Sequence, residues 1–393
     1  MMKKYYKKFL FTKPNRLHFA SHSLHYWPDI SEVGHHQAWL DTCEYSDHKW
    51  GHFFQNVFPQ TQKLIANHLG IKNSQNIAFA PNTHELVFRL LSCFFEQDKI
   101  RILTTDCEFY SFDRQVRRIA EWKKAEVIKV PVMPFETFVD RFSEAAQGNF
   151  DLIYFSQVFF NNGLALNEND MTKMVDANSK AQICIDGYHA FCALPTSLKN
   201  LSKRIYYVAG GYKYAQAGEG LCFMSLPENC QLRPLYTGWF AGMNELSGVK
   251  KDLVSYPDDG HRFAGSTFEP TPFYRFNAIW NLFKKDDITI KSIDLHVKNL
   301  MKTFVAKVAS QKTLLDSAIL LNTNEKKRGH FLTYEFSNEE QAIETIAFFE
   351  KQSILIDRRG TRIRIGFGAY HDAKDIQLLV DKITINQPIS LVS

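Results

Sequence analysis

Between about residues 65 and 230, short apolar runs alternate with segments of helical period. NIAFAP leads into THELVFRLLSCFF, whose apolar positions recur at helical spacing. KIRILTTD reads as a buried strand, and SFDRQVRRIAEWKKA after it as an amphipathic helix. EVIKVPV, FDLIYFSQVFF, AQICIDGYHAF, RIYYVAGG and GLCFMSL read as further buried strands. PFETFVDRFSEAAQ and ENDMTKMVDANSKA between them are helical in period. This alternation predicts an α/β fold, an open and mostly parallel sheet sandwiched by helices. Ligands in such sheets sit at the carboxyl ends of the strands. The stretch from Tyr256 to Pro272 breaks the pattern with Pro and Gly. Helical segments follow over 273–312, and then GHFLTYEF, SILIDRR and TRIRIGFG as strands, with helical patterns at 338–351 and 372–383. These predict a smaller C-terminal α/β domain.

At 393 residues the chain is long for one core, and 45% hydrophobic with 23% charged residues is ordinary for a globular protein. A net charge of +5, with Lys3, Lys4, Lys7 and Lys8 as a solvated tail and no finger or zipper behind them, gives no reason to expect a nucleic-acid partner. FLF near the start is too short for a signal-peptide core, and no window approaches the length of a membrane span. The seven cysteines are scattered without CxxC spacing, and Cys184, Cys192 and Cys222 lie in apolar runs as core residues. That usage fits a reducing cytoplasm. Seven of the fourteen histidines fall within the first 52 residues. No carboxylate or Cys ligand pattern accompanies His22, His25, His35 and His36, so the expectation is no metal and a role at an active-site rim or surface.

The chemistry concentrates on two residues. Asp186 ends the strand ICID, where a side chain emerges into the ligand crevice. Lys213 follows the strand RIYYVAGG and is flanked by Gly210, Gly211 and Gly218. Singly, these describe an Asp capping a turn and a solvated loop lysine. Jointly they are the pair that pyridoxal 5′-phosphate (PLP) requires. The amine forms an imine with the cofactor aldehyde, and the carboxylate keeps the pyridine nitrogen protonated. An Asp facing that cation is expected to stay ionised with a lowered pKa.

Asp186–His189 as D-x-x-H, followed by YKY and a glycine turn at Tyr212–Gly220, resembles kynureninase and its relatives among the class V PLP enzymes (fold type I). FASHSLHYWP near residue 20, PLYTGWFAG at 234–242, FEPTP at 268–272 and IRIGFGAYHD at 363–372 extend the resemblance over nearly the whole chain. It implies a seven-stranded-type sheet and four units: an N-terminal active-site segment (1–30), a large PLP-binding domain (31–255), connecting helices (256–312) and a small domain (313–393). Asn82 and Thr83, at a strand-to-helix junction, are implied to bind the cofactor phosphate at a helix N-terminus. Either also suits a simple N-cap. Phe109 is implied to stack on the cofactor ring, or else to be a core Phe. Ser156 and His189 are implied to contact the ring or its hydroxyl, and Tyr212 the phosphate. Trp239 and Thr271 are implied to complete the phosphate site from a neighbouring subunit of a homodimer, with Ser266 and Thr267 as rivals to Thr271. Arg364 is the candidate for gripping a substrate carboxylate in a bidentate fork, with Arg358, Arg359 and Arg362 as rivals. Ser23 is expected to border the substrate.

The chain departs from the kynureninase pattern at His22–His25, at Glu219, and at Tyr110 and Phe112. These positions neighbour the substrate rather than the Schiff-base lysine. The leading expectation is a kynureninase-like enzyme acting on a small-molecule L-amino acid, with hydrolytic Cβ–Cγ cleavage of kynurenine or a related substrate. The alternatives are aminotransfer on the same scaffold and a catalytically silent PLP-fold binding protein. No Cys follows Cys230, which disfavours sulfur transfer through a small-domain thiol.

Overall fold

A computed structural model describes residues 2–245 and 252–385; the remaining ends of the expected units, residues 1 and 386–393, and residues 246–251 lie outside that description. The central sheet has seven strands: β1 (Ile77–Ala80), β2 (Ile100–Thr105), β3 (Ala125–Val130), β4 (Leu152–Ser156), β5 (Gln182–Asp186), β6 (Ile205–Gly210) and β7 (Cys222–Ser225). Their spatial order is β1-β7-β6-β5-β4-β2-β3. All neighbours run parallel except β7, which is antiparallel to both β1 and β6. Every residue of β4 and β6 is buried, because helices cover both faces of the sheet. Continuous apolar runs, rather than alternation, are the sequence mark of that double burial. The α/β sandwich expected from the sequence is the fold observed.

Helices Thr83–Ser92, Tyr110–Glu121, Phe135–Ala146 and Glu168–Asp176 follow β1 to β4 in turn. Their starts are chemically set. Asn82 Oδ1 accepts the Glu85 N–H at 2.9 Å, and Asn167 forms a reciprocal capping box with Asp170. Because these helices begin where strands end, side chains at the junctions converge on one edge of the sheet.

A second, antiparallel sheet is ordered β10-β11-β9-β8, from β8 (Ile319–Leu320), β9 (Phe331–Glu335), β10 (Asp357–Arg359) and β11 (Arg362–Gly366). The expected single strand SILIDRR divides in two. Asp357–Arg359 turns back onto β11 through Gly360 at φ 59°, whereas Ile354–Leu355 pairs parallel with Leu17–His18. The N-terminal segment is thus stitched to the C-terminal part of the chain, and Gly366 N–H donates to Phe19 O at 2.6 Å.

That seam holds His18, His22 and His25, all buried; for His22 and His25 this corrects the expectation of a rim or surface position. His35 and His36 are exposed. The Ala369 N–H donates to His25 Nε2 at 3.1 Å, leaving Nδ1 to donate to Tyr26 O at 2.6 Å. The His18 imidazole meets the Tyr370 hydroxyl at 2.6 Å. Burial, more than any neighbouring charge, lowers the pKa of His18 to about 3 and those of His22 and His25 to about 4.

Two predictions follow from the seam. The folded chain binds fewer protons than the unfolded one between the ordinary histidine pKa of 6.5 and the depressed values. Stability is therefore whole above pH 6.5 and falls as pH drops through that value towards 4; urea midpoints measured at several pH values read the decline. A Cβ on Gly366 would lie 2.2 Å from His22 Nδ1, whereas one on Gly51 meets nothing within 4 Å. Gly366→Ala is expected to cost about 1–3 kcal/mol in equilibrium unfolding, with Gly51→Ala as the neutral control.

Candidate active site

A cavity of about 270 Å3 lies at the carboxyl ends of the parallel strands. Asn82 and Thr83 reach it from the β1 junction, and Phe109 from the loop after β2. Ser156 ends β4, Asp186 ends β5, and Tyr212 and Lys213 follow β6, with His189 one turn beyond Asp186. All of these sequence-selected residues line the same space. Phe160 and Tyr188 line it too and were missed. Phe160 lay hidden in an apolar run read as strand, while Tyr188 stood inside the D-x-x-H motif and was legible there.

Lys213 Nζ contacts His189 Nε2 and lies 5.6 Å from the Phe109 ring centroid and 5.2 Å from that of Tyr188. Desolvation, reinforced by the Arg364 charge, lowers its pKa to about 7; Asp186 and Asp357 oppose the shift. The amine is therefore substantially free base near neutrality. Burial keeps His189 neutral, and its Nδ1 has no partner among the described residues.

Asp186 is held from two sides. Oδ1 accepts the Tyr188 N–H and Oδ2 the Tyr154 hydroxyl, both at 2.9 Å. Tyr154 is itself fixed by stacking on Phe112, with centroids 3.7 Å apart and planes 6° from parallel. The sequence led us to expect a lowered pKa. In the chain alone the carboxyl is pushed upward, because burial outweighs the two donors and the Lys213 charge.

Arg364 is buried, and its fork is already taken. Nε donates to Asp357 Oδ1 at 2.8 Å, Nη2 donates to Asp357 Oδ2, and Nη1 donates to Phe160 O at 2.6 Å. The His22 imidazole meets the same Asp357 Oδ1 at 3.0 Å. Arg364 thus stands beside the cavity through Phe160, but as one half of an ion pair rather than as an open clamp. Its rivals are engaged elsewhere: Arg362 with Glu335, Arg358 with Glu339, and Arg359 with Asp357. Ser23 does not line the cavity; its N–H donates to Ala20 O in a turn. Trp239 and Thr271 do not line it either. Trp239 packs against Phe240, Thr271 bonds Glu269, and Ser266 and Thr267 face a separate cavity beside Arg89.

Residues 35–379 match the family model for class-V aminotransferases. The chain belongs to the class-V aminotransferase family. No functionally curated protein shows significant sequence similarity to it. Among solved structures, a lysine-to-alanine mutant of C-DES with glycine covalently linked to its PLP cofactor superposes with a TM-score of 0.81 at 16% identity, covering 96% of this chain and 98% of that one. The cystine C-S lyase C-DES with its product cysteine persulfide gives 0.80 at 16% identity, over 95% and 98%. Apo cysteine desulfurase from Thermococcus onnurineus NA1 gives 0.79 at 14%, over 96% of each chain. At these identities the likeness establishes the fold, the PLP-dependent fold type I. The common ground is therefore the class-V fold, not kynureninase in particular.

The family's cofactor is PLP, and the cavity fits it on its own chemistry. It presents one amine of near-neutral pKa, a half-buried carboxyl for a ring nitrogen, an imidazole nitrogen unpartnered among the described residues and a helix N-terminus for a phosphate. Competitive acetylation of the apoprotein, read peptide by peptide, is expected to show Lys213 titrating near pH 7. A value near 10.5 for Lys213 would contradict the desolvated site.

Proposed function

We propose that the chain is a PLP-dependent aminotransferase acting on an L-amino acid, with Lys213 moving the proton. The observation that carries this reading is the single near-neutral amine in a cavity that no cysteine lines. Bound there, the cofactor supplies an aldehyde for amine exchange and a ring that withdraws electrons from Cα. With a pKa near 7, the Lys213 amine would be the group to take up the Cα proton and give it back, which is the proton movement aminotransfer needs. Asp186, itself held by Tyr154 and Tyr188, would keep the ring nitrogen protonated. Phe109 would cover one face of the ring, and the helix N-terminus at Asn82–Thr83 would receive the phosphate. Arg364 meets the substrate carboxylate with the N–H groups that Asp357 and Phe160 leave free.

Sulfur transfer through a protein thiol, the chemistry of a desulfurase, has no support here. Cys107, Cys184 and Cys222 are held as neutral thiols by burial, and no Cys follows Cys230. A second reading, kynureninase-like Cβ–Cγ cleavage, is favoured by the aromatic wall. Phe160 packs edge-on to Phe109 and Tyr110, with centroids 5.4 Å away in each case, suiting an aromatic side chain. We also propose a homodimer, because Trp239 is 44% exposed and Thr271 stands outside the cavity, open to a second subunit.

Single-turnover reaction of the holoenzyme with a panel of L-amino acids, without acceptor, separates the readings. Aminotransfer predicts stoichiometric 2-oxo acid and pyridoxamine phosphate by mass spectrometry, both abolished in Lys213→Ala. Release of alanine and an aromatic acid from kynurenine would overturn it in favour of cleavage.

A further inference from the structure

A buried carboxyl with no part in the chemistry above lies against the same cavity. Glu108 is 6% exposed, and both of its oxygens are engaged. Oε1 accepts the Thr105 hydroxyl at 2.7 Å and the Ser156 N–H at 3.1 Å, while Oε2 and Ser156 Oγ are 2.6 Å apart. Ser156 lines the cavity and pairs in register with Asp186 across β4 and β5. The other titratable groups facing Glu108 are Asp186 and Cys184 from β5, Tyr154 from β4, and Cys107 beside it in the loop. Burial pushes both thiols and the phenol upward, so they stay neutral. Asp186 is the other carboxyl, and it is fastened to Tyr154 and Tyr188 instead.

A serine hydroxyl has one hydrogen to give. When Glu108 is ionised, Oε2 holds that hydrogen and Ser156 shows the cavity nothing but lone pairs. When Glu108 is protonated, its own O–H donates to Ser156 Oγ, and the serine hydrogen is released towards the cavity. We propose that Glu108 is a positioning residue whose proton sets the direction of the Ser156 hydroxyl, and so decides whether Ser156 donates a hydrogen bond to an oxygen on the bound cofactor ring. Burial, with a contribution from the Asp186 charge, raises the Glu108 pKa to about 8 against the pull of its donors. The protonated arrangement is therefore the resting one at neutrality. The device serves the cofactor end of the cavity and operates whether aminotransfer or carbon–carbon cleavage follows.

The test is the PLP dissociation constant of the apoprotein, from fluorescence titration between about pH 6 and 10. In Glu108→Gln the carboxamide N–H donates to Ser156 permanently, imitating the protonated acid. The cofactor's own titration is common to every variant, so the ratio of dissociation constants is diagnostic. The wild-type to Glu108→Gln ratio is expected to rise about tenfold as pH climbs through about 8, the worth of one hydrogen bond. Ser156→Ala has no hydroxyl to donate, so it should bind PLP more weakly than the wild type below about pH 8 and lose that disadvantage as the wild-type donor is withdrawn above it. A ratio that stays constant with pH for either variant overturns the proposal. Failure of the wild type to capture PLP through Lys213 at any pH would overturn the cofactor reading instead.

Discussion

Removal of water from the Lys213 amine and the Asp186 carboxyl is the constraint on which the rest of the structure depends. Two oppositely charged groups at a water-filled cleft would keep their ordinary pKa values and offer no chemistry near neutrality. Here burial lowers the amine to about 7 and raises the acid above its ordinary value. The energetic cost of that desolvation is met by the fold. Strands β4, β5 and β6 are buried on both faces, and their carboxyl ends deliver Ser156, Asp186 and Lys213 to one edge with no freedom to turn outwards.

Support for the two groups is layered in depth. Phe112 fixes Tyr154, Tyr154 fixes Asp186, and Asp186 faces the cavity. On the opposite side, His22 and Arg364 converge on Asp357, tying the N-terminal segment and β11 to the same wall. A buried ion pair contributes little net stability, but breaking one partner leaves an uncompensated charge. Asp357 therefore does more than anchor Arg364. It cancels a cation that would otherwise depress the Lys213 amine further, and burial with Arg364 is already the main source of that depression. The wall tunes the site's electrostatics as well as its shape.

Much of this was legible in the sequence, for identifiable physical reasons. Buried parallel strands are written as unbroken apolar runs, and ICID and RIYYVAGG marked Asp186 and Lys213 at their ends. What escaped were contacts between distant segments. Nothing local in SILIDRR says that Ile354–Leu355 pairs with Leu17–His18 while Asp357 turns to meet Arg364. His22 and His25 were expected at an active-site rim or surface because their burial depends on a seam over three hundred residues away in sequence, at Gly366 and Ala369. Glu108, inside DCEFYSF, carries no local mark of its role, because its partner Ser156 comes from a distant strand.

The same logic explains why fold and cofactor are better determined than the reaction. Cofactor chemistry rests on residues at strand ends, which backbone topology places. Reaction choice rests on what would surround Cα and Cβ, and the charges that act on Lys213 from behind the lining, Arg364 and Asp357, come from β11 and β10, parts joined by long-range pairing. His22 and His25 occupy positions where the kynureninase pattern has other residues, and both are sealed in the seam as neutral rings. A neutral imidazole packed against Phe331, with Nε2 committed to Asp357, cannot deliver a proton to a leaving carbon without first surrendering that bond. Lys213 carries no such commitment beyond His189. The proton inventory of the cavity wall thus weighs towards chemistry that one lysine completes alone.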